Sequence, residues 1–212
     1  MKKMINRRDF MVAGSLTAGS VMLGNCTLKE EKEKDQEKSN SRIEEPDAMS
    51  ISKSMPKDHV FNLLDQKVTH YMEISHNCAQ SSFLALSEQF GLGNDDMVKA
   101  LTPIPGIAER GETCGAVTGA LLALGLVYGR NNISDWQGYR DSLKPANEFC
   151  DRFEQELGSL MCRNIVKSEF GMELDLRKKD DLEQFQEADA THKCSRVVQT
   201  AVRIAADLIL KA

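Results

Sequence analysis

Six cysteines lie along the 212 residues of this chain. Four of them share one kind of local context. Cys78 in "NCAQ", Cys114 in "ETCGAVTG", Cys162 in "GSLMCRNIV" and Cys194 in "KCSRVV" each follow a capping-type residue within a few positions, which places each in the first turn of an expected helix. A helix start presents unpaired N–H groups and a partial positive charge, and both favour thiolate over thiol. Four such sulfurs suit either nucleophilic thiol chemistry or metal ligation. Cys150 sits in mid-helix and reads as a core residue, with a resolving thiol as its alternative role. His76 and His192 each precede one of the four cysteines by two residues and are auxiliary candidates for a proton, a ligand or a positive neighbour. Arg110 and Glu112 flank Cys114, and Glu112 reads as a helix cap. There is neither a Cys-x-x-Cys nor a Cys-x-x-Cys-His, so thioredoxin-like and c-type haem readings lose their main support.

The elements that must position these sulfurs read as helices. Val60, Leu63, Leu64, Val68, Tyr71 and Met72 recur at helical spacing from about Lys57 onward. Asn77 caps a second helix that Gly91 closes, and Asn94 caps a short third before Thr102-Pro103 and Pro105-Gly106 break the chain. The next helix, "TCGAVTGALLALGLVYG", carries Gly115, Ala116, Gly119, Ala120, Ala123 and Gly125 among Leu and Val. Each glycine there costs roughly 1 kcal/mol against alanine, so a neighbouring backbone must approach that face closely. This is the expected buried central helix, whose small residues let the other cysteine-bearing helix ends come near. Ser134 to Leu157 reads as a longer helix kinked or split at Pro145, with Leu143, Phe149, Phe153 and Leu157 inward. A further helix starts near Ser159, "DLEQFQEAD" is a polar excursion, and "THKCSRVVQTAVRIAADLIL" is a final amphipathic helix. Strand signals are nearly absent, and the expectation is an all-α, compact bundle of six or seven helices over residues 57–212.

Residues 1–26 read as an address rather than as fold. A basic start, a weakly apolar stretch and a cysteine after Leu23-Gly24-Asn25 make an export signal, and Arg7-Arg8 followed by Asp9 and Phe10 resembles the twin-arginine type. Cys26 stands where a lipoprotein signal is cleaved and acylated, although Asn25 departs from the usual small residue. Residues 27–56 are charged with both signs and nearly free of large apolar side chains, which predicts a disordered tether. The expected location is therefore the exported side of the cytoplasmic membrane, with the twin-arginine machinery as a partner and attachment through Cys26. A net charge of −5 with no basic, aromatic-studded stretch argues against nucleic acid. Nothing matches a nucleotide loop, a serine triad or a paired-carboxylate hydrolase.

The order Cys78, then "CGAVTG" from Cys114 to Gly119, then Cys162 and Cys194 resembles the C_GCAxxG_C_C family of redox-active proteins over roughly Val60 to Leu210. The resemblance implies a small helical domain with four characteristic cysteines and a redox partner in a membrane transport or electron-transfer system. Cys150 lies outside that pattern. Three chemistries stay open on the residues themselves: a Cys₄ iron–sulfur cluster for electron transfer, dithiol–disulfide cycling among the four, or a non-redox module held by static disulfides or a structural metal.

Overall fold

Residues 47–212 are described by a computed structural model. The signal with Arg7 and Arg8, the Cys26 lipidation position and the tether up to residue 46 lie outside the described residues. Helix α1 (Ala48–Ser54) opens with the Asp47 carboxylate accepting from the Ser50 amide at 2.7 Å. Its buried Ser52 hydroxyl donates to the Gln89 carbonyl at 2.7 Å, so the end of the stretch read as tether is docked on the domain. Helix α2 (Lys57–Ser75) turns Val60, Leu64, Val68 and Met72 inward at the 3.6-residue period. It stops at His76, which takes a left-handed conformation.

Helix α3 (Cys78–Phe90) is capped by Asn77, whose side-chain oxygen accepts from the Gln80 amide at 3.0 Å, and is closed by left-handed Gly91. Helix α4 (Asp95–Ala100) is short, and α5 (Gly106–Glu109) is a single turn. Helix α6 (Gly115–Tyr128) is the centre of the bundle and packs on α3 and on two later helices, α7 (Trp136–Leu157) and α10 (Ala190–Ile209). Between those two lie α8 (Cys162–Phe170) and α9 (Lys179–Glu187).

The small-residue face of α6 does what its composition demands. Gly115, Ala116, Gly119, Ala120 and Ala123 are buried, and the Ser82 hydroxyl of α3 reaches across to the Ala116 carbonyl at 3.0 Å. At Gly119 a β-carbon would overlap the Ala79 carbonyl oxygen and lie 2.9 Å from Ser82 Cβ. Gly125 is different: it faces open space, away from the close-packed stripe. Phe83, Phe90, Phe149, Phe153, Leu64 and Leu86 fill the rest of the core.

The all-α reading holds, with no extended strand among the described residues. Among the described residues there are ten helices, nine of them within residues 57–212 where six or seven were expected, because α5 and α9 are too short or too polar to show a clear apolar period. Helix α7 runs as one element through Pro145 rather than splitting there. At the end of the bundle the buried Asp207 carboxylate receives Lys57, Arg152 at 2.8 Å and Lys211 at 2.8 Å, which ties α2, α7 and the C-terminus to α10. Burial alone would raise that carboxyl, but the three cations outweigh it and hold it well below the usual carboxylate range. No described helix is long and apolar enough to cross a membrane.

Candidate four-cysteine centre

Three of the four motif cysteines sit at helix starts. Cys78 is the first residue of α3, Cys114 is the N-cap of α6, and Cys162 is the first residue of α8. Cys194 departs from the expectation. Helix α10 begins at Ala190, after Asp189 in the left-handed region, so Cys194 lies one turn inside rather than in the first turn.

An isolated antiparallel bridge between Thr113 and Met161 sets two of these starts side by side. The Cys114 amide donates to the Leu160 carbonyl at 2.9 Å, the Cys162 amide to the Glu112 carbonyl at 2.7 Å, and the Arg163 amide to the Gly111 carbonyl at 3.0 Å. The Glu112 carboxylate pairs with the Arg163 guanidinium instead of capping α6, as the sequence suggested. Gly115 supplies the remaining closeness, since a β-carbon there would overlap the Cys78 sulfur.

The segment leading into this bridge has an unusual backbone. Gly106, Ile107, Ala108 and Glu109 all have φ between 50° and 60°. For the three residues with side chains this costs about 1–2 kcal/mol each. Hydrogen bonds from the Ile107 amide to Ile104 O at 2.8 Å, from the Glu109 amide to Pro105 O at 2.8 Å and from the Glu112 amide to Gly106 O at 3.0 Å hold the turn. The turn places Gly106 against the Cys162 side chain and Pro105 and Glu109 on the wall of the adjoining cavity.

That cavity has a volume of about 600 Å³, and Cys78, Cys114, Cys162 and Cys194 all line it. The rest of the wall is mostly apolar, with Met72, Ile165, Phe170, Leu182, Phe185 and Val197 from four helices. Phe170 and Phe185 pack with ring centroids 4.8 Å apart. His76 also lines the cavity, and its Nδ1 lies 3.0 Å from the Thr191 hydroxyl. His192 is exposed and does not line it, and neither does Cys150, which is half-buried on α7 against the core. Arg110 is exposed beside the bridge, outside the cysteine cavity.

The four sulfurs are not chemically equivalent. Hydrogen bonding with the Cys114 side chain is the main cause that lowers Cys78 below the ordinary thiol value. Burial opposes the shift, and the amides of Gly115, Cys78 itself and Ala116 reinforce it. The same bond raises Cys114 well above that value, and burial and the charge on Cys78 push it further. Burial, then the Cys78 charge and Glu109, pushes Cys162 up to about 12. Cys194 is raised chiefly by burial, with Cys78 and Cys162 adding to it. Burial likewise raises Cys150, helped by Asp151 and Glu154. Cys78 is therefore the most readily ionised of the four, and the other three hold their protons more tightly than an ordinary thiol.

The alkylation order follows from these directions. In the native reduced chain, iodoacetamide should label Cys78 first, at a rate that climbs with pH below the ordinary thiol range near 8.5, while Cys150 and Cys162 stay unlabelled at neutral pH. Peptide mapping of the labelled chain across pH checks this, and equal labelling of Cys78 and Cys150 would contradict it.

Sequence reasoning missed the residues that shape the cavity rather than react in it. Helix α9, read as a polar excursion, contributes Leu182 and Phe185 to the wall, and Glu109 arrives through a left-handed turn of non-glycine residues that no pattern announces. Lys193 was passed over as part of an amphipathic helix, yet it lines the cavity with its ammonium 4.4 Å from the Phe170 ring centroid.

The four sulfurs form the donor set that an iron–sulfur cluster takes. Among the described residues, no three His, Cys, Asp or Glu side chains converge on a single ion position. The arrangement therefore brackets a space rather than closing on one ion. A family model described as "Putative redox-active protein (C_GCAxxG_C_C)" matches residues 76–208, a span that contains all four motif cysteines and Cys150. In this chain its central motif reads Cys114-Gly115-Ala116-Val117-Thr118-Gly119. Neither a curated protein nor a solved structure matches the chain.

Proposed function

This chain belongs to that family, and we propose that it is a redox protein whose working centre is the four-cysteine cavity, with Cys78 and Cys114 as a dithiol–disulfide pair. The observation that carries this reading is the placement of Cys78 and Cys114 at the starts of α3 and α6 on the wall of one cavity, where a β-carbon on Gly115, next to Cys114, would overlap the Cys78 sulfur. Cys78, the one sulfur of the four whose ionisation is eased, is the attacking thiol in this reading, and Cys114 is the resolving one. Oxidation forms the Cys78–Cys114 bond and releases two electrons to an acceptor, with the protons passing to acceptor or solvent. Cys162 and Cys194, protonated and adjacent, are the second pair available to pass the disulfide on.

A second reading is favoured by a separate observation: four thiols share one cavity of about 600 Å³. In that reading Cys78, Cys114, Cys162 and Cys194 hold an iron–sulfur cluster that carries single electrons. In both readings the signal around Arg7 and Arg8 sends the chain across the membrane by the twin-arginine route, Cys26 anchors it by a lipid, and its redox partner belongs to a membrane transport or electron-transfer system. An exported location is oxidising enough for a disulfide to persist.

Iron and acid-labile sulfide analysis of the chain, expressed with cluster assembly intact and purified without oxygen, separates the two. The dithiol reading predicts neither element in stoichiometric amount and four alkylatable motif thiols after reduction. Stoichiometric iron with sulfide would replace it with the cluster reading.

A further inference from the structure

The cavity that Cys78 and Cys114 line has a volume of about 600 Å³, the size of a site for a small organic molecule. Whatever fills it must satisfy three features. Its walls are aliphatic and aromatic, with the Phe170–Phe185 pair offering a face for a planar ring. Its lining carries one lysine, Lys193, against the carboxylates of Glu109 and Glu169, which disfavours phosphate-bearing carriers such as nicotinamide or flavin nucleotides. Its hydrogen-bond donors, Lys193, Gln186, Thr191 and His76, include three neutral or weakly basic groups that suit carbonyl oxygens.

We infer that this cavity binds a quinone, which acts as the two-electron partner of the Cys78–Cys114 pair. The inference rests on the dithiol reading above. The balance is closed: Cys78 gives its proton to solvent as it ionises and Cys114 loses its own as the S–S bond forms between them, and the two electrons of that bond's formation, with two protons drawn from Cys114 and solvent, convert the two quinone carbonyls to the two hydroxyls of the hydroquinone. The reverse reaction, from hydroquinone to quinone, re-reduces the disulfide. Lys193 lies against the ring of Phe170, where its ammonium can donate to a carbonyl oxygen of a ring stacked on that wall. Helix α9 closes the cavity with Leu182 and Phe185, and none of its residues is fully buried, so side chains on this wall can change with little cost to the core.

The test mixes the fully reduced chain, without oxygen, with a fully substituted benzoquinone carrying a short alkyl tail, which thiols do not trap as a stable thioether. Loss of the quinone absorbance and appearance of the Cys78–Cys114 disulfide are followed together, and diamide serves as an oxidant that needs no site. The expected result is that both oxidants form the bond. Leu182→Trp, which fills the cavity, should lower the quinone rate relative to the diamide rate by at least about tenfold, whereas Ile133→Trp on the exposed surface should leave that ratio unchanged. Far-UV circular dichroism checks that both variants keep their helices. Bond formation with diamide but not with quinone, or an unchanged ratio of the two rates in Leu182→Trp, overturns the inference and leaves the dithiol reading standing. Failure with both oxidants overturns the dithiol reading itself.

Discussion

Replacing Cys114 by serine is expected to abolish the reversible two-electron response of the chain, while replacing Cys150 by serine leaves it intact. The two residues are both buried or half-buried cysteines on long helices, so a general sensitivity of the core to serine would affect them alike. Their surroundings separate them. Cys114 shares a cavity with Cys78, Cys162 and Cys194, whereas Cys150 lies outside that cavity, on α7 against the core, with its thiol raised by burial and by Asp151 and Glu154. Serine at 114 keeps a hydroxyl that can still donate to Cys78 but cannot form the S–S bond. The thiolate is then partly retained and the pair is lost. Titration in a glutathione redox buffer, with free thiols counted by mass after maleimide capture, should show one pair of thiols lost on oxidation in the parent and in Cys150→Ser, and none in Cys114→Ser. Equal loss of response in both variants would contradict the grouping of four.

The second large effect is on stability, and it comes from two glycines of one helix with opposite signs. At Gly119 an added β-carbon meets backbone: it overlaps the Ala79 carbonyl and lies 3.0 Å from the Phe83 amide, so α3 and α6 would have to separate. The helix-propensity gain of about 1 kcal/mol is smaller than the cost of forcing that interface apart, and Gly119→Ala should lose about 2 kcal/mol net. Gly125 faces open space on the same helix, and Gly125→Ala should gain about 0.5–1 kcal/mol. Urea unfolding midpoints with unchanged slopes measure both. Shifts of the same sign would mean that the close approach of α3 to α6 does not set the stability of this interface. Gly115→Ala extends the logic to the site, because the displaced atom there is the Cys78 sulfur itself.

Much of the molecule was legible because its signals are periodic or positional. The inward stripe of α2, the Asn77 cap, the terminal glycines of α3 and α7, and the amphipathic α10 follow from spacing and capping alone. The closeness of Cys78 to Cys114 was also foreseeable in kind, since only an approaching backbone repays glycine at 115 and 119. What stayed hidden depends on long-range geometry. The Thr113–Met161 bridge joins segments nearly fifty residues apart through main-chain groups, which any residue type can supply. The left-handed turn at Ile107, Ala108 and Glu109 runs against the preference of those residues and is imposed by its hydrogen bonds. Helix α9 has no buried face, so its part in the cavity wall leaves no apolar period. Cys194 fell one turn deeper than expected because α10 starts after left-handed Asp189, not at the threonine that looked like its cap.

The central claim, that Cys78 and Cys114 are the reactive pair of a four-cysteine centre, is tested most directly by locating the first disulfide. The reduced native chain is oxidised stepwise with glutathione disulfide, remaining thiols are alkylated, and the peptides are mapped by mass. The account predicts that the first bond to appear joins the peptide carrying Cys78 to the peptide carrying Cys114, with Cys150 alkylated throughout. A first bond that includes Cys150, or one that joins Cys162 to Cys194 while Cys78 and Cys114 stay reduced, would contradict it.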